Sequence, residues 1–559
     1  MSFAEPLNKT TVTVITNNGS ANVQRVSTYE WATTNVDAAT LTSVNETSTD
    51  GLRNWRAAYG LTNQSRTVYS GGHRYVTNTA PEGNITVSDF QNGRLLSTTT
   101  RDSSGTGLAQ ITYGYDAHGR QSTSTDVRNG TTTNGFDNAD RIVSVTTPPP
   151  ESGQAVQVTT TVFNEMGWVT NVIHPDSAIT ATLYHLTGET ATNSGARTYP
   201  VAYTYDYAGR LKTMTTWTNF SGNQGSAVTT WNYHNTRGWL TNKVYADSQG
   251  PTYTYTPGGR LSTRTWARGV TTTYSYNAAG DLSATDYSDA TVDLTHAYDR
   301  RGRLIRVTEG GSVSTLRGYN DAGQIVNENY SGGSLDGWTF TNSFDSVLRP
   351  TGFKLYLSGT LKIQHVYTYD TASRPLKVSQ GEYSANYSYH PTSSLISQID
   401  YKWVNTNKLT SVRTYDNFNR LSRITNTLAA DTPVNFAYAY NSANQRTGFT
   451  NADSSRWAFA YDTLGQVTSG KRYWSDGTNV AGQQFEYLFD DIGNRLSAGS
   501  GGDETGANLG VQSYTANKFE PVFSANGSRI CGCVRHLHQR FDRDRESAVD
   551  LSAWRLLPG

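Results

Sequence analysis

Apolar and polar residues alternate with a period of two along most of this chain. Residues 201–205 read Val-Ala-Tyr-Thr-Tyr, and residues 211–217 read Leu-Lys-Thr-Met-Thr-Thr-Trp. Such alternation in segments rich in aromatic and β-branched residues predicts strands. Between these segments, Asp206 suits the first position of a type I turn, and Gly209 suits the fourth, where a left-handed backbone strains glycine least. The local unit is therefore predicted to be two antiparallel strands joined by a tight turn.

A phrase of Tyr, Asp or Asn, two variable residues, Gly, Arg and Leu recurs down the chain. Its aromatic position, called the anchor below, aligns at seventeen places from Tyr115 to Phe489, which gives sixteen intervals over 374 residues and a mean spacing of about 23. A period of about 20 to 50 residues indicates stacked supersecondary units, each dependent mainly on its neighbours. The clearest copies assign structural turn roles to Tyr115, Asp116, Gly119, Arg120, Tyr205, Asp206, Gly209, Arg210, Tyr298, Asp299, Gly302, Arg303, Tyr461, Asp462 and Gly465.

So many hairpins cannot form one flat sheet. Thirty-four strands at about 4.8 Å spacing would span roughly 160 Å, and the right-handed twist makes so wide a sheet curl. Hydrophobic residues make up only 35% of the chain, whereas aromatic residues make up 11%, which argues against both a thick apolar core and disorder. We therefore predict an all-β fold, a long antiparallel hairpin-repeat ribbon that spirals into a hollow shell or cocoon.

The repeat pattern divides the chain into four segments. Residues 1–89 are interpreted as degenerate β-repeats, and residues 90–498 as the main repeat shell. Residues 499–523 are predicted to be a linker or a partial further repeat, and residues 524–559 an irregular or disordered tail. Three consecutive prolines at 148–150 are predicted to form a surface loop within the array, because proline cannot donate in a central strand.

The Tyr-Asp-x-x-Gly-Arg-Leu phrase over residues 90–496 resembles the YD repeats of the RHS (rearrangement hot spot) family. The resemblance implies a β-cocoon, as in bacterial polymorphic toxins, the C components of insecticidal toxin complexes and the shell of teneurins. It also implies a role in enclosing a C-terminal toxin or in displaying a shell at a cell surface. The chain departs from the family in having no Asp-Pro dipeptide, which the family's self-cleavage motif contains.

The two ends of the sequence favour a fragment of a longer protein. The start shows no signal peptide, and only about sixty residues follow Leu496, with no recognisable enzyme among them. Truncation explains both observations, and an out-of-frame end explains the abrupt change of composition near Ser524.

Candidate chemistry is confined to the last segment. Cys531, Cys533, His536 and His538 offer ligand types that zinc accepts, but their spacing is that of no standard zinc finger or ribbon. An irregular tail is the favoured interpretation, and metal binding is the weaker alternative. No nucleophile, phosphate-loop or metalloprotease motif occurs, so we expect no catalytic residues and no cofactor.

Charge and hydropathy exclude several classes of partner. The 46 basic and 46 acidic residues balance, which gives no signal for nucleic acid, and no run of 18 apolar residues predicts a membrane span. The recurring Arg, as in Arg210, is predicted to pair with the Asp of a neighbouring turn and so to form a ladder along the array.

Two functions remain open from the sequence. The first is a non-enzymatic shell of a secreted or surface protein that encapsulates or carries a C-terminal toxin polypeptide. The alternative is a cell-surface adhesin or wall-associated protein whose Tyr- and Trp-rich strands stack on glycans. In both cases we expect a monomer in an extracellular or cell-surface location.

Overall fold

The fold is one antiparallel sheet, seen in a computed structural model that describes residues 9–31, 39–429 and 431–515. These residues form 43 strands, and each strand pairs with the next one in the chain. The sheet is not closed on itself by strand pairing. The only helical element in the described ranges is a 3-10 turn at Gly333–Leu335. The prediction of an all-β hairpin ribbon is confirmed.

The first 21 strands are short and follow one another closely from residue 9 to residue 255. They are β1 Lys9–Asn17, β2 Asn22–Glu30, β3 Thr40–Ser48, β4 Arg53–Ala58, β5 Leu61–Ser70, β6 His73–Thr79, β7 Ile85–Gln91, β8 Arg94–Arg101, β9 Gly107–Tyr115, β10 Gln121–Asp126, β11 Gly130–Phe136, β12 Ile142–Thr147, β13 Gln157–Phe163, β14 Val169–Ile173, β15 Ile179–Tyr184, β16 Thr190–Gly195, β17 Val201–Tyr205, β18 Leu211–Asn219, β19 Gln224–Tyr233, β20 Leu240–Val244 and β21 Thr252–Tyr255.

The remaining strands continue in the same manner to residue 513. They are β22 Leu261–Thr265, β23 Thr271–Tyr276, β24 Leu282–Tyr287, β25 Leu294–Tyr298, β26 Leu304–Glu309, β27 Val313–Tyr319, β28 Ile325–Ser331, β29 Trp338–Phe344, β30 Pro350–Leu357, β31 Thr360–Tyr369, β32 Pro375–Gln380, β33 Tyr383–Tyr389, β34 Ile396–Trp403, β35 Thr406–Tyr415, β36 Leu421–Leu428, β37 Val434–Tyr440, β38 Arg446–Thr450, β39 Arg456–Tyr461, β40 Val467–Tyr473, β41 Asn479–Phe489, β42 Arg495–Gly501 and β43 Leu509–Ser513.

Each of the seventeen anchors is the last residue of a strand. Tyr115 ends β9, every second strand after it ends on the next anchor, and Phe489 ends β41. The turn phrase follows directly, so all these tips lie at one edge of the ribbon, which we call the turn edge. The loops that leave the even-numbered strands lie at the other edge, the opposite edge. The repeat unit of two strands and a tight turn is therefore confirmed.

A β-bulge accompanies every anchor. In the hairpin of β17 and β18, Thr204 pairs with Thr213 but Tyr205 pairs with Leu211, so Lys212 has no partner across the ladder. The same register shift occurs at the other anchored hairpins, for example at Tyr298 and Tyr461. A bulge bends its strand and increases the local twist. Because all the bulges at the anchors lie near the turn edge, their bends add in one direction, which favours coiling of the ribbon.

The wall is a single layer with two chemically different faces. Anchors and their i−2 neighbours place rings on one face, where Tyr438 and Phe449 stack with centroids 5.2 Å apart. Threonines occupy the other face, where the Thr254 and Thr263 hydroxyls are 2.7 Å apart across the strands. Only five apolar residues of the described ranges are buried: Val23, Ala196, Ala372, Ile399 and Val480. The low hydrophobic content is thus that of a wall with solvent on both sides.

Contacts between distant loops show how the ribbon winds. The loop after β8 touches the loop after β31 through Asp102 and Thr371, and the loop after β18 touches the loop after β41 through Phe220 and Asp491. In both cases the partners are 23 strands apart. At about 4.8 Å per strand this gives a perimeter of about 110 Å, or a ring about 35 Å across if circular. The ribbon therefore forms a hollow coil of nearly two turns.

Candidate functional site: the turn edge and the seam

The hairpin tip at Asp206 shows how the repeated phrase works. One carboxylate oxygen, Oδ1, accepts the backbone N–H groups of Ala208 at 2.9 Å and Arg210 at 3.0 Å. The other oxygen accepts the Nε–H of Arg210 at 2.7 Å. Gly209 closes the turn with φ of 74°. The Arg210 guanidinium and the backbone N–H groups hold the pKa of Asp206 below its usual range.

The other turns named from the sequence have the same geometry. Tyr115, Tyr298 and Tyr461 end their strands, as Tyr205 does. Gly119, Gly302 and Gly465 have φ of 86°, 74° and 84°. The Asp and the residue four positions later pair at each of these tips, as Asp116 with Arg120 at 2.7 Å, Asp299 with Arg303 at 2.6 Å and Asp462 with the Gln466 amide at 3.0 Å.

Most repeat arginines pair with the Asp of their own turn and do not form the predicted ladder between neighbouring turns. Arg120 does both, since it pairs with Asp116 at 2.7 Å and with Asp140 of the next turn at 2.5 Å. At Arg260 the Asp position is occupied by Thr256.

The outer end of the guanidinium reaches the next repeat. Arg303 donates from Nη1 to the carbonyl of Asn320 at 2.8 Å and lies 5.0 Å from the ring centre of Tyr319. The guanidinium fork can bind its own carboxylate with one side and still use the other. Neighbouring repeats are thus joined by cation–π and backbone contacts.

A second link between repeats comes from the anchor hydroxyl. Tyr276 donates to the carbonyl of Leu261 at 2.8 Å, which is the first residue after the preceding turn. The same contact recurs along the array at Tyr115, Tyr184, Tyr233, Tyr255, Tyr319, Tyr369, Tyr389, Tyr415, Tyr440 and Tyr461. The repeat pattern does not predict this bond. Its only signal was the choice of Tyr over Phe at most anchors.

The fourth turn position has positive φ even where glycine is absent. Asn419 and Asn444 have φ of 61° and 62° there, and Leu348 has φ of 64°. Asparagine tolerates this region, whereas leucine is strained in it.

We expect Leu348→Asn to stabilise the chain by about 0.5 to 1 kcal/mol, because it relieves that strain. Urea denaturation followed by intrinsic fluorescence measures the change. Gly209→Val is the reverse test, and we expect it to cost about 1 to 2 kcal/mol. A Leu348→Asn protein that unfolds at lower urea than the wild type contradicts the strain argument.

Tips of the second coil turn dock onto the opposite edge of the first, along a line that we call the seam. Thr371 donates from Oγ1 to Asp102 Oδ2 at 2.6 Å, and Ser103 Oγ donates to the Thr371 carbonyl at 3.2 Å. Arg301 Nε donates to Glu30 Oε2 at 3.2 Å. Thr371 and Arg301 occupy the variable positions of the turn phrase. Asn419, which accepts from the Arg128 guanidinium, instead occupies the fourth turn position.

Backbone groups form much of the rest of the seam. The Arg197 N–H donates to the Thr463 carbonyl at 2.8 Å. Asp491 donates its N–H to the Thr218 carbonyl at 3.1 Å, and its carboxylate Oδ2 accepts the Phe220 N–H at 2.6 Å. The Arg197–Thr463 and Asp491–Thr218 bonds join main-chain atoms, so they do not depend on the side chains at these positions.

The proline loop also belongs to the seam. Asn417 donates its backbone N–H to the Pro150 carbonyl at 2.8 Å and its side-chain amide to the Pro149 carbonyl at 2.9 Å. Proline has no N–H but keeps its carbonyl acceptor. The segment predicted as a surface loop therefore contacts the next turn of the coil.

The Asp102 carboxylate makes the seam sensitive to acid. The Thr371 hydroxyl, followed by that of Ser104, holds the pKa of Asp102 at about 2, below its ordinary value of 3.8. A lowered folded-state pKa contributes stability above the unfolded-state pKa that is lost as the pH falls.

We therefore expect the seam at Asp102 to be intact above about pH 4 and to weaken as the pH falls towards about 2. Small-angle X-ray scattering should show the particle expanding over this interval. Asp102→Asn removes the titrating group, so this variant should be more open at neutral pH and change less with acid. Identical profiles for the two proteins would contradict the assignment.

The zinc site considered from the sequence cannot be placed in the described ranges. Cys531, Cys533, His536 and His538 lie outside them, so the possible zinc site stays a prediction. No group of three potential metal-ligating side chains occurs within the described residues. Nor does any helix described there have the length and apolar character needed to cross a membrane.

Comparisons with known proteins give a likeness of fold only. No family model matches the sequence, and no curated protein matches it. Among solved structures, the crystal structure of TcdB2-TccC3 superposes with a TM-score of 0.53 at 13% identity over 91% of this chain. This chain therefore shares its fold with part of a TcdB2-TccC3 chain. Crystal structures of TcdB2-TccC3-Cdc42 and of TcdB2-TccC3 without its hypervariable C-terminal region each give a TM-score of 0.52, at 12% and 13% identity over 89% and 88% of this chain.

The TcdB2-TccC3 chains are much longer than this one. The present chain spans 32%, 30% and 30% of their lengths in the same three structures. The fold likeness is consistent with a shell of the RHS type, as the repeat phrase indicates.

Proposed function

We propose that this chain is a wall segment of an RHS-type container that encloses a polypeptide. The observation that carries the proposal is the winding of a single-layer ribbon into a coil whose turns dock edge to edge 23 strands apart. Allowing about 5 Å of side chain on each wall, the bore is about 25 Å wide, which is enough for an unfolded polypeptide. The likeness of fold to TcdB2-TccC3 supports the shell architecture on which this proposal rests.

The distribution of chemistry supports a structural, non-enzymatic role. The residues that recur build turns, bulges and links between repeats, and repetition makes them equivalent, whereas catalysis needs a distinctive group. The turn aspartates are engaged by their own arginines and N–H groups, as at Asp206. We propose a secreted or surface-exposed protein as the context of this wall, with a toxin polypeptide as its cargo.

Protection of a polypeptide from protease tests the container. A Gly/Ser-rich segment of about sixty residues with one cleavage site is appended to the C terminus of the full chain. We expect slow cleavage in the wild type and fast cleavage when Asp102→Asn and Thr371→Val open the seam together. Thr204→Val with Thr213→Val is the matched control, since it removes hydroxyls from the wall face and leaves the seam intact. Equal and fast cleavage in all three proteins overturns the container.

Glycan binding is the second candidate, because several aromatic side chains lie open to solvent. Tyr69 is 67% exposed and Tyr383 is 66% exposed. Exposed aromatic rings offer flat apolar faces that can stack on sugars. Binding of the purified chain to a glycan array, with loss on Tyr383→Ala and without protection of the appended segment, would favour the adhesin over the container.

A further inference from the structure

The third residue of each tight turn, counted from the residue that follows the anchor, differs in exposure between the first and the second turn of the coil. From Arg301 to Ile492 this position is half-buried or buried at every tip, since these tips form the seam, and Ala372 is only 8% exposed. From His118 to Ala279 the same position is exposed at every tip. One half of the turn edge is thus covered by the ribbon, and the other half is free in the described structure.

Three consecutive tips of the free half carry large apolar side chains. Met166 is 70% exposed, Leu186 is fully exposed and Tyr207 is 92% exposed. The tips touch one another in order, since Trp168 and Tyr184 have ring centroids 5.3 Å apart and the next pair of rings is 5.8 Å apart. Met166 is the third residue of its turn, and Leu186 and Tyr207 are the second residues of theirs, so three neighbouring tips each present a large apolar side chain. We call these three side chains the tip strip. Exposed strips of this kind mark interaction surfaces.

The opposite edge of the second coil turn is also free and partly apolar. Trp403 is 46% exposed, Val404 is 54% exposed and Leu428 is 47% exposed, and they lie in or beside the successive loops after β34 and β36. We call these residues the loop strip. In the seam, the opposite edge of the first coil turn is the surface onto which the turn tips of the second coil turn dock.

We propose that the tip strip docks onto the loop strip of a second copy of this chain, repeating the seam between molecules. The seam is the established interface that this docking continues, because it already joins a turn edge to an opposite edge through loop atoms. The two surfaces are different, so the contact is head to tail. Such heterologous contacts leave one free edge at each end and allow stacks longer than two.

Charge opposes this docking and sets its salt dependence. The twelve loops of the free opposite edge, from residues 245–251 to 502–508, contain ten acidic residues and one Arg. The tip strip is flanked by Glu165 and Glu189. The free opposite edge as a whole and the flanks of the tip strip therefore carry a net negative charge, while Lys408 lies 5.3 Å from the ring centre of Trp403 in the loop strip. Salt screens the net repulsion between the edges and leaves apolar contacts in place. Association through these strips should strengthen as salt is raised.

The first test is the mass of the full chain in solution, measured by light scattering with a reductant present. We expect monomers at about 1 µM and a rising mass towards about 100 µM. The rise should be larger in about 0.5 M than in about 0.05 M salt. A monomer at every concentration and salt overturns the proposal, and so does association that salt weakens.

Variants of the two strips test the head-to-tail geometry. Leu186→Glu and Trp403→Glu should each weaken association about tenfold or more. Val228→Glu is the control, because Val228 is 40% exposed but lies in the middle of β19, away from both edges. A mixture of Leu186→Glu and Trp403→Glu proteins should form one-to-one dimers, since each variant keeps the surface that the other lacks. No rescue in the mixture, or equal weakening by Val228→Glu, overturns the proposal.

Discussion

Gly195→Ala is expected to destabilise the middle of the wall by about 3 kcal/mol, which combines backbone strain with overpacking. Gly195 ends β16 with φ of 103°, a region that residues with a side chain rarely enter. A Cβ atom there would lie 2.2 Å from the carbonyl oxygen of Ile179, which cannot move without breaking its bond from the Ala196 N–H. The backbone conformation and the lack of room for a Cβ atom both exclude alanine at this position.

The damage should extend from this strand to the seam. Two residues after Gly195, the Arg197 N–H donates across the seam to Thr463. Hydrogen exchange should therefore accelerate in β15 to β17 and in the loop after β39, while β1 to β6 stay protected, because repeats couple mainly to neighbours. Gly269→Ala is the control, since Gly269 has φ of 86° but nothing within 4 Å of the added Cβ. If both variants cost the same, the close contact with Ile179 is unimportant.

This sensitivity follows from how the wall is stabilised. A globular domain spreads a local defect over a packed core, but this sheet has a single layer, and Val23 and Ile399 are among its few buried apolar residues. Stability comes from strand pairing, from turn hydrogen bonds and from links such as Tyr276 to Leu261. Each is worth about 1 kcal/mol, so the loss of one turn matters most to its neighbours.

Local structure could be predicted from the sequence because the signals are local. An anchor such as Tyr205, followed by Asp206 and Gly209, places a strand end, a turn acceptor and a positive φ within five residues. These are propensities of single residues, and repetition makes them reliable.

The pairing of the arginines and the bulges could not be read in the same way. A guanidinium beside an array of turns can reach its own Asp or a neighbouring one, and only the three-dimensional position of Arg303 shows that it takes its own. The bulge at Lys212 depends on how the turn fits the strand pair, and no residue of the repeated phrase marks its position.

The seam is the part of the candidate site least accessible from the sequence. Its tip residues, such as Thr371 and Asn417, are the variable positions of the phrase, and their partners Asp102 and Pro150 lie in loops without a repeated pattern. Which loops meet depends on the bend per strand summed over 23 strands. A small change in that bend would shift every contact, so no local signal can specify the seam.

Asp416 is expected to be the turn residue whose loss costs most. Its side chain is 3% exposed and that of Arg420 is 13% exposed, which makes this the most buried ion pair of its kind in the described turns. Asp416 accepts the N–H groups of Phe418 and Arg420 at 2.9 Å and the Arg420 Nε–H at 2.6 Å. Asp416→Asn should cost about 3 kcal/mol, because the amide turns a donor towards a buried cation that has lost its counter-charge. Urea denaturation and hydrogen exchange in β35 and β36 measure this loss.

The chain itself supplies the compensating change and the control. In the next hairpin Asn441 and Gln445 occupy the equivalent positions, and the Asn441 amide donates to the Gln445 oxygen at 2.8 Å. Adding Arg420→Gln to Asp416→Asn recreates that pair and should recover about half of the lost stability, the remainder reflecting the lost stacking of Arg420 on Tyr440. Asp462→Asn, which faces Gln466, should cost less than about 1 kcal/mol. Equal losses at positions 416 and 462 would mean that the turn hydrogen bonds, and not the buried ion pair, dominate the stability of these tips.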